Sequence, residues 1–169
     1  MNEHMNEHWN VIPEFSEYSV SNYGNIRSNK SQRILSTSPN QFGVVQVGLM
    51  KGGVQYHRSV PLLVAKAFLP IKPGPFDTPI NLDGDRLNNH VDNLVWRPRW
   101  FAIKYNRQFR FPYRDRINRP IADKKTGEVS LNSIECAMKY GLLEEEIVIS
   151  ILNHTYVWPT YQEFQILGN

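Results

Sequence analysis

Proline and glycine punctuation divides this chain into short segments, and that limits what it can fold into. The stretch from Pro70 to Pro79 is rich in both residues, Lys51-Gly52-Gly53 interrupts a β-prone run, and Phe109 to Pro120 contains two prolines and no helical period. Proline removes a backbone donor and blocks the preceding helical turn, while glycine supplies the positive φ of tight turns. With 169 residues to distribute, the expectation is one compact domain or a few small modules. A hydrophobic content of 41% with 21% charged residues is that of a folded protein and excludes disorder.

Each segment has its own pattern. Met1-Asn2-Glu3-His4 repeats as Met5-Asn6-Glu7-His8 without an apolar period, so residues 1–8 read as a flexible tail, with His4 and His8 at most adventitious metal ligands. Trp9 to Leu35 alternates β-prone stretches with the turn residues Ser21-Asn22-Tyr23-Gly24, which predicts a small antiparallel sheet. Residues 44–49 and 54–58 flank the glycine pair as a hairpin. Val60 to Leu69 reads as a helix with Pro61 in its first turn, and Pro70 to Pro79 as a loop. A second turn-rich stretch, Asp83 to His90, precedes Asn93-Leu94-Val95-Trp96, and Pro98 is placed to start a helix through Arg107. Near the end, Ser133 is the expected N-cap of a helix over Ile134 to Tyr140, Gly141 its C-cap, and Glu144 to Leu152 a second helix. Two short helices around a glycine predict a helix-turn-helix.

Charge is unevenly spread. The net charge is only +3, yet Arg97 to Lys125 holds ten of the 19 Lys and Arg against Asp115 and Asp123 alone, leaving the remainder net acidic. Aromatic residues interleave with these cations: Trp96, Trp100, Phe101, Tyr105, Phe109, Phe111 and Tyr113. Trp96, Trp100 and Phe101 are expected to serve an aromatic core. The cations Arg97, Arg99, Lys104, Arg107, Arg110, Arg114, Arg116 and Arg119 are the expected DNA contacts, because arginine and lysine neutralise phosphates and release counterions. No apolar run approaches the ~18 residues of a membrane span, and the amino terminus has no signal-like stretch, so an intracellular protein without membrane partners is expected. The single cysteine, Cys136, excludes an internal disulfide and a multi-cysteine zinc site, and reads as a small core side chain.

Three stretches together resemble the HNH homing endonucleases of phages and introns. Trp9 through Ile12-Pro13-Glu14-Phe15 to Tyr18-Ser19-Val20-Ser21-Asn22-Tyr23-Gly24-Asn25-Ile26-Arg27-Ser28 is similar to the NUMOD4-like module ahead of such nucleases. Leu63 to Leu69 with Asp83 to Trp96 resembles the HNH core, and Ser133 to Phe164 the terminal helix-turn-helix. The resemblance implies an α+β protein: a tail (1–8), a β module (9–40), a degenerate ββα-metal core (41–108), an extended basic linker (109–120) and a helix-turn-helix module (121–169).

It also implies a chemistry that these residues do not supply. In a ββα-metal nuclease a histidine activates water, and a carboxylate with a helix Asn or His holds one divalent cation. Here Asn81 stands at the histidine position, Ile80 where Asn or the carboxylate belongs, and Ala102 at the helix ligand, while Pro61 replaces a histidine common before the Leu-Val-Ala motif. An amide does not accept a proton near neutral pH, and an aliphatic group cannot ligate a hard cation. Shifting the alignment by one residue puts Leu82 at the histidine position and restores nothing. Asp83, Asp85, Asn88, Asn89 and Asn93 then read as a loop held by Asx hydrogen bonds. The alternative is a rearranged site in which Asp83 or Asp85 binds metal and His90 or His57 supplies a base.

The expected function is binding of double-stranded DNA without cutting, as a regulator or accessory factor that is phage-encoded, with no cofactor. Mg²⁺ or Mn²⁺ would be needed only by the alternative, an active nicking endonuclease with substituted residues. A third possibility is a protein- or RNA-binding adaptor. Glu144-Glu145-Glu146 at the start of the second terminal helix suits the helix dipole but repels phosphate, so that helix either docks differently or offers a protein-binding surface.

Overall fold

The computed structural model describes residues 7–72 and 74–168. Most of the tail expected over residues 1–8 lies outside them. Glu7 and His8 are described, and both are tied to the first turn: the His8 amide donates to Asn22 Oδ1 at 2.7 Å, and Asn25 Nδ2 donates to Glu7 Oε1 at 2.8 Å.

In chain order the elements are β1 (Trp9–Ile12), β2 (Phe15–Ser21), β3 (Ile26–Ser28), β4 (Ser38–Pro39), β5 (Val45–Lys51), β6 (Val54–Ser59), α1 (Val60–Phe68), β7 (Thr78–Asn81), β8 (Leu94–Arg97), α2 (Arg99–Arg110), β9 (Ile121–Asp123), β10 (Val129–Ser130), α3 (Ser133–Tyr140), α4 (Glu144–Asn153) and β11 (Phe164–Ile166). The fold is α+β, with small antiparallel sheets and four α-helices among the described residues. None of these helices is long and apolar enough to cross a membrane. Two compact units result: Met1–Asn81 with Asp85–Arg99, and Leu82–Gly84 with Trp100–Asn169.

The first unit contains the sheets β1-β2-β3, β4-β5-β6 and β7-β8 together with α1. Along β5, Val45, Val47 and Leu49 are buried at the period of two that a strand imposes. They meet Val60, Leu63 and Val64 of α1, Leu94 of β8, and Ile12, Phe15, Val20 and Ile26 from the amino-terminal sheet in one hydrophobic cluster. Residues on both sides of position 40 therefore share a core. Pro61 sits in the first turn of α1, where its missing amide costs nothing. The segment expected as a loop to Pro79 ends earlier, because Thr78 and Pro79 open β7. Pro79 faces Trp96 in a two-stranded sheet, and such an edge can host a residue with no amide donor.

In the second unit α2 extends three residues beyond Arg107, so Phe109 and Arg110 of the expected linker are helical, and residues 111–120 contain no helix or strand. Ile121, Cys136, Ala137, Leu142, Ile147, Ile151, Val157 and Phe164 form its core. Burial pushes the Cys136 thiol up to about 12, which leaves it an inert core side chain. Helix α3 starts one residue earlier than expected. Its N-cap is Asn132, whose side chain accepts from the Glu135 amide at 2.9 Å, and Ser133 lies inside the helix. Gly141 closes it with φ 62°, as expected. The sheet β10-β9-β11 beside α3 and α4 has strands of two or three residues, too short to show an alternation in sequence.

Candidate functional site

The connection between β7 and β8 is built from polar side chains that satisfy one another. Asn81, 5% exposed, donates through Nδ2 to the Asn88 carbonyl at 2.7 Å and to Asn89 Oδ1 at 3.2 Å. Asn93 Nδ2 donates to the same Asn88 carbonyl at 2.8 Å, and Asp85 Oδ1 accepts from the Leu87 amide at 2.9 Å in an Asx turn. The amino-terminal sheet buttresses this loop. The Val91 amide donates to the Asn22 carbonyl at 2.8 Å, and Tyr23 meets the His90 ring edge-on at 4.6 Å. Gly24, at φ 86°, approaches Asn89 so closely that a Cβ would lie 3.1 Å from the asparagine Cβ.

The residues proposed from sequence for a rearranged site lie in different surroundings, with His57, Asp83 and Asp85 exposed. His90 Nδ1 accepts from the Asp92 amide at 3.2 Å, and His57 is exposed on β6 opposite Gly48. Asp83 belongs with Leu82 and Gly84 to the second unit, where Tyr105 Oη donates to the Leu82 carbonyl at 2.6 Å. Gly84 (φ 77°) sits against the Phe109 ring, leaving 2.7 Å for an added Cβ. Ile80 is buried in β7 opposite Val95, and Ala102 is buried in α2, its carbonyl accepting from Asn106 Nδ2 at 2.8 Å. Among the described residues no group of three or more His, Cys, Asp or Glu side chains is placed to hold a metal ion. Ile80 and Ala102 offer no ligand atom and Asn81 offers only a neutral amide oxygen, so these three positions do not fit the divalent cation of a ββα-metal nuclease.

The cationic segment has a sharper geometry than its sequence suggests. At 100° per residue, Arg99, Arg110, Ile103, Arg107, Trp100 and Lys104 fall within an arc of about 140° on α2. All six are exposed, whereas Phe101, Ala102 and Tyr105 on the other side are buried. No acidic residue occurs between Arg97 and Arg114. Arg114 and Arg119 are also exposed, in the irregular segment that follows. Lys104 lies over the Trp100 ring at 5.7 Å and Arg107 over Phe111 at 5.6 Å, contacts that orient the cations without neutralising them. Trp100 is 52% exposed although it stacks on Trp158, whereas Trp96 and Phe101 are buried as expected.

Two of the expected DNA contacts stand elsewhere. Arg97 is only 5% exposed. Arg116 forms a two-pronged ion pair with Glu144, Nε to Oε1 at 2.6 Å and Nη2 to Oε2 at 2.9 Å, which holds its guanidinium charged. Glu144 is fully buried and also accepts from Ser133 Oγ at 2.7 Å, while its amide donates to Gln108 Oε1 at 2.9 Å. The repulsion expected from three glutamates therefore reduces to two, since only Glu145 and Glu146 are exposed. Pairing across 28 residues left no local sequence signal for this interaction.

Parts of the chain are similar to known proteins. The NUMOD4 motif matches residues 7–49. An uncharacterized HNH endonuclease of Acanthamoeba polyphaga mimivirus, L245, is 35% identical over 88 residues, a match covering 52% of this chain and 26% of that protein. The H-N-H endonuclease F-TflII of Escherichia phage T5 is 30% identical over 90 residues, covering 53% of this chain and 47% of the phage protein. Among solved structures, the HNH homing endonuclease I-HmuI, described for its DNA binding and cleavage, aligns with a TM-score of 0.54 and 20% identity over 96% of this chain and 99% of its own. Over about half of its length this chain is similar to HNH endonucleases, and its fold is that of an HNH homing endonuclease. It matches less than half the length of either viral relative, and the 20% identity to I-HmuI carries the fold alone.

Proposed function

We propose that this chain binds double-stranded DNA without cutting it, acting as a regulator or accessory factor in a viral setting such as that of its phage and mimivirus relatives. The observation that carries the reading is the exposed arc of α2, where Arg99, Lys104, Arg107 and Arg110 lie together with no acid among them. Such a row neutralises phosphates, and Arg114 and Arg119 extend it into the next segment. The absence of cutting rests on side-chain chemistry: Asn81 provides no base near neutral pH, and Ile80 and Ala102 provide no ligand. The two helices α3 and α4, joined by a three-residue turn, are a helix-turn-helix candidate, with Glu145 and Glu146 setting an acidic edge that phosphate would avoid.

The test is a fluorescence titration of a labelled duplex at several salt concentrations. Affinity falling steeply and linearly in log salt, and weakened by Arg107→Ala with Arg110→Ala, supports the reading. Binding that is absent at low salt, or indifferent to both substitutions, overturns it.

A further inference from the structure

The cationic arc of α2 has an apolar centre. Ile103 is 64% exposed, with Arg99 one helical turn before it and Arg107 one turn after it. The two aromatic side chains nearby have partners, since Trp100 stacks on Trp158 and under Lys104, and Phe111 lies under Arg107. Ile103 has no such ring partner and is as exposed as Phe111, so burying it would be a gain available on binding. The arc also lacks Asn, Gln, Ser and Thr. The amides that α2 does carry are turned to intramolecular use, Asn106 to the Ala102 carbonyl and Gln108 to the Glu144 amide. Long cations flanking an exposed aliphatic side chain match the chemistry of proteins that drive an apolar wedge between base steps from the minor groove.

From this arrangement we infer that Ile103 inserts between adjacent base pairs from the minor groove of bound duplex DNA, unstacking that step and kinking the duplex. The inference rests on the proposed DNA binding and adds a deformation that phosphate contacts alone do not require. Arg99 and Arg107 would hold the strands on either side of the opened step. Its cost is the lost base stacking, so a step that is already poorly stacked, such as a mismatch, should be favoured.

The experiment uses the full chain, its Ile103→Ala and Ile103→Leu variants, and a short duplex carrying donor and acceptor dyes at its ends, with or without a central mismatch. The protein should shorten the end-to-end distance and prefer the mismatched duplex. Ile103→Ala should abolish the bend and the preference and weaken binding to the matched duplex by about tenfold, the loss expected for aliphatic area no longer buried. Ile103→Leu should retain both effects. A straight bound duplex, or equal bending and equal preference in Ile103→Ala, overturns the wedge while leaving DNA binding intact. Failure of the full chain to bind either duplex overturns both.

Discussion

Asn81 and Asn89 of the β7–β8 region are buried, whereas the cations of α2 are exposed. Asn81, Asn89 and Asn93 spend their amides on one another's loop, in a region the amino-terminal sheet braces through Asn22, Tyr23 and Gly24. Arg99, Lys104, Arg107 and Arg110 leave their charges at the surface. The loop amide nitrogens are used within the protein, whereas the helix cations are exposed to a partner. The two regions thus satisfy their polar atoms in different ways.

The comparison is most exposed to substitution on the outward side. Replacing Arg99, Arg107 and Arg110 together with alanine should weaken duplex binding by about 100-fold near physiological salt and lower the salt slope by about 3, with thermal stability essentially unchanged. A salt titration beside a melting curve measures both, and a stability loss of similar size would mean that the arc is structural.

Inward-facing polar groups should behave in the opposite way. Glu144→Gln leaves the Arg116 guanidinium with a neutral partner in a buried setting and should cost about 3 kcal/mol of unfolding free energy in urea, a figure at the low end for broken buried pairs because Arg116 retains some solvent. Asn81→Ala removes two donors from loop acceptors and should cost about 1–2 kcal/mol. Asn81→His sharpens the point: it returns an imidazole to the position yet should not produce nicking, because Ile80 and Ala102 still lack donor atoms. Nicking by that single variant would show that the missing histidine was the only defect.

The smallest effect concerns pH. Burial disfavours the ionised form of Asp123, but bonds from Gln162 Nε2 at 2.7 Å and the Lys125 amide at 2.8 Å, with a longer one from Thr126, outweigh it and hold the carboxyl below its ordinary range. A depressed carboxylate pKa stabilises the fold above the ordinary titration range and loses that contribution as pH falls through the lowered value. Asp123→Asn should therefore lower the melting temperature at neutral pH and narrow its gap to the parent chain on acidification. A gap that widens in acid would contradict the sign.

Sequence patterning reached the elements whose signals are local. The Gly52-Gly53 hairpin, α1 with Pro61 in its first turn, and Gly141 after α3 are all written in neighbouring residues. Features set by distant partners escaped it. Arg116 looks like any linker arginine until Glu144 is brought to it, and Arg97 looks like a phosphate contact until it is buried. Strands of two or three residues in the sheet β10-β9-β11 carry no readable period. Helical phase places Ile103 at the centre of the cations, a position that residue spacing along the basic stretch does not mark.

The account turns on binding without cutting, and one assay addresses both halves. Supercoiled plasmid incubated with the purified chain and Mg²⁺ or Mn²⁺ should be retarded on a native gel and recovered fully supercoiled after the protein is removed. Relaxed circles that accumulate with time and disappear with Asp83→Ala would contradict the account and restore a working nuclease centre.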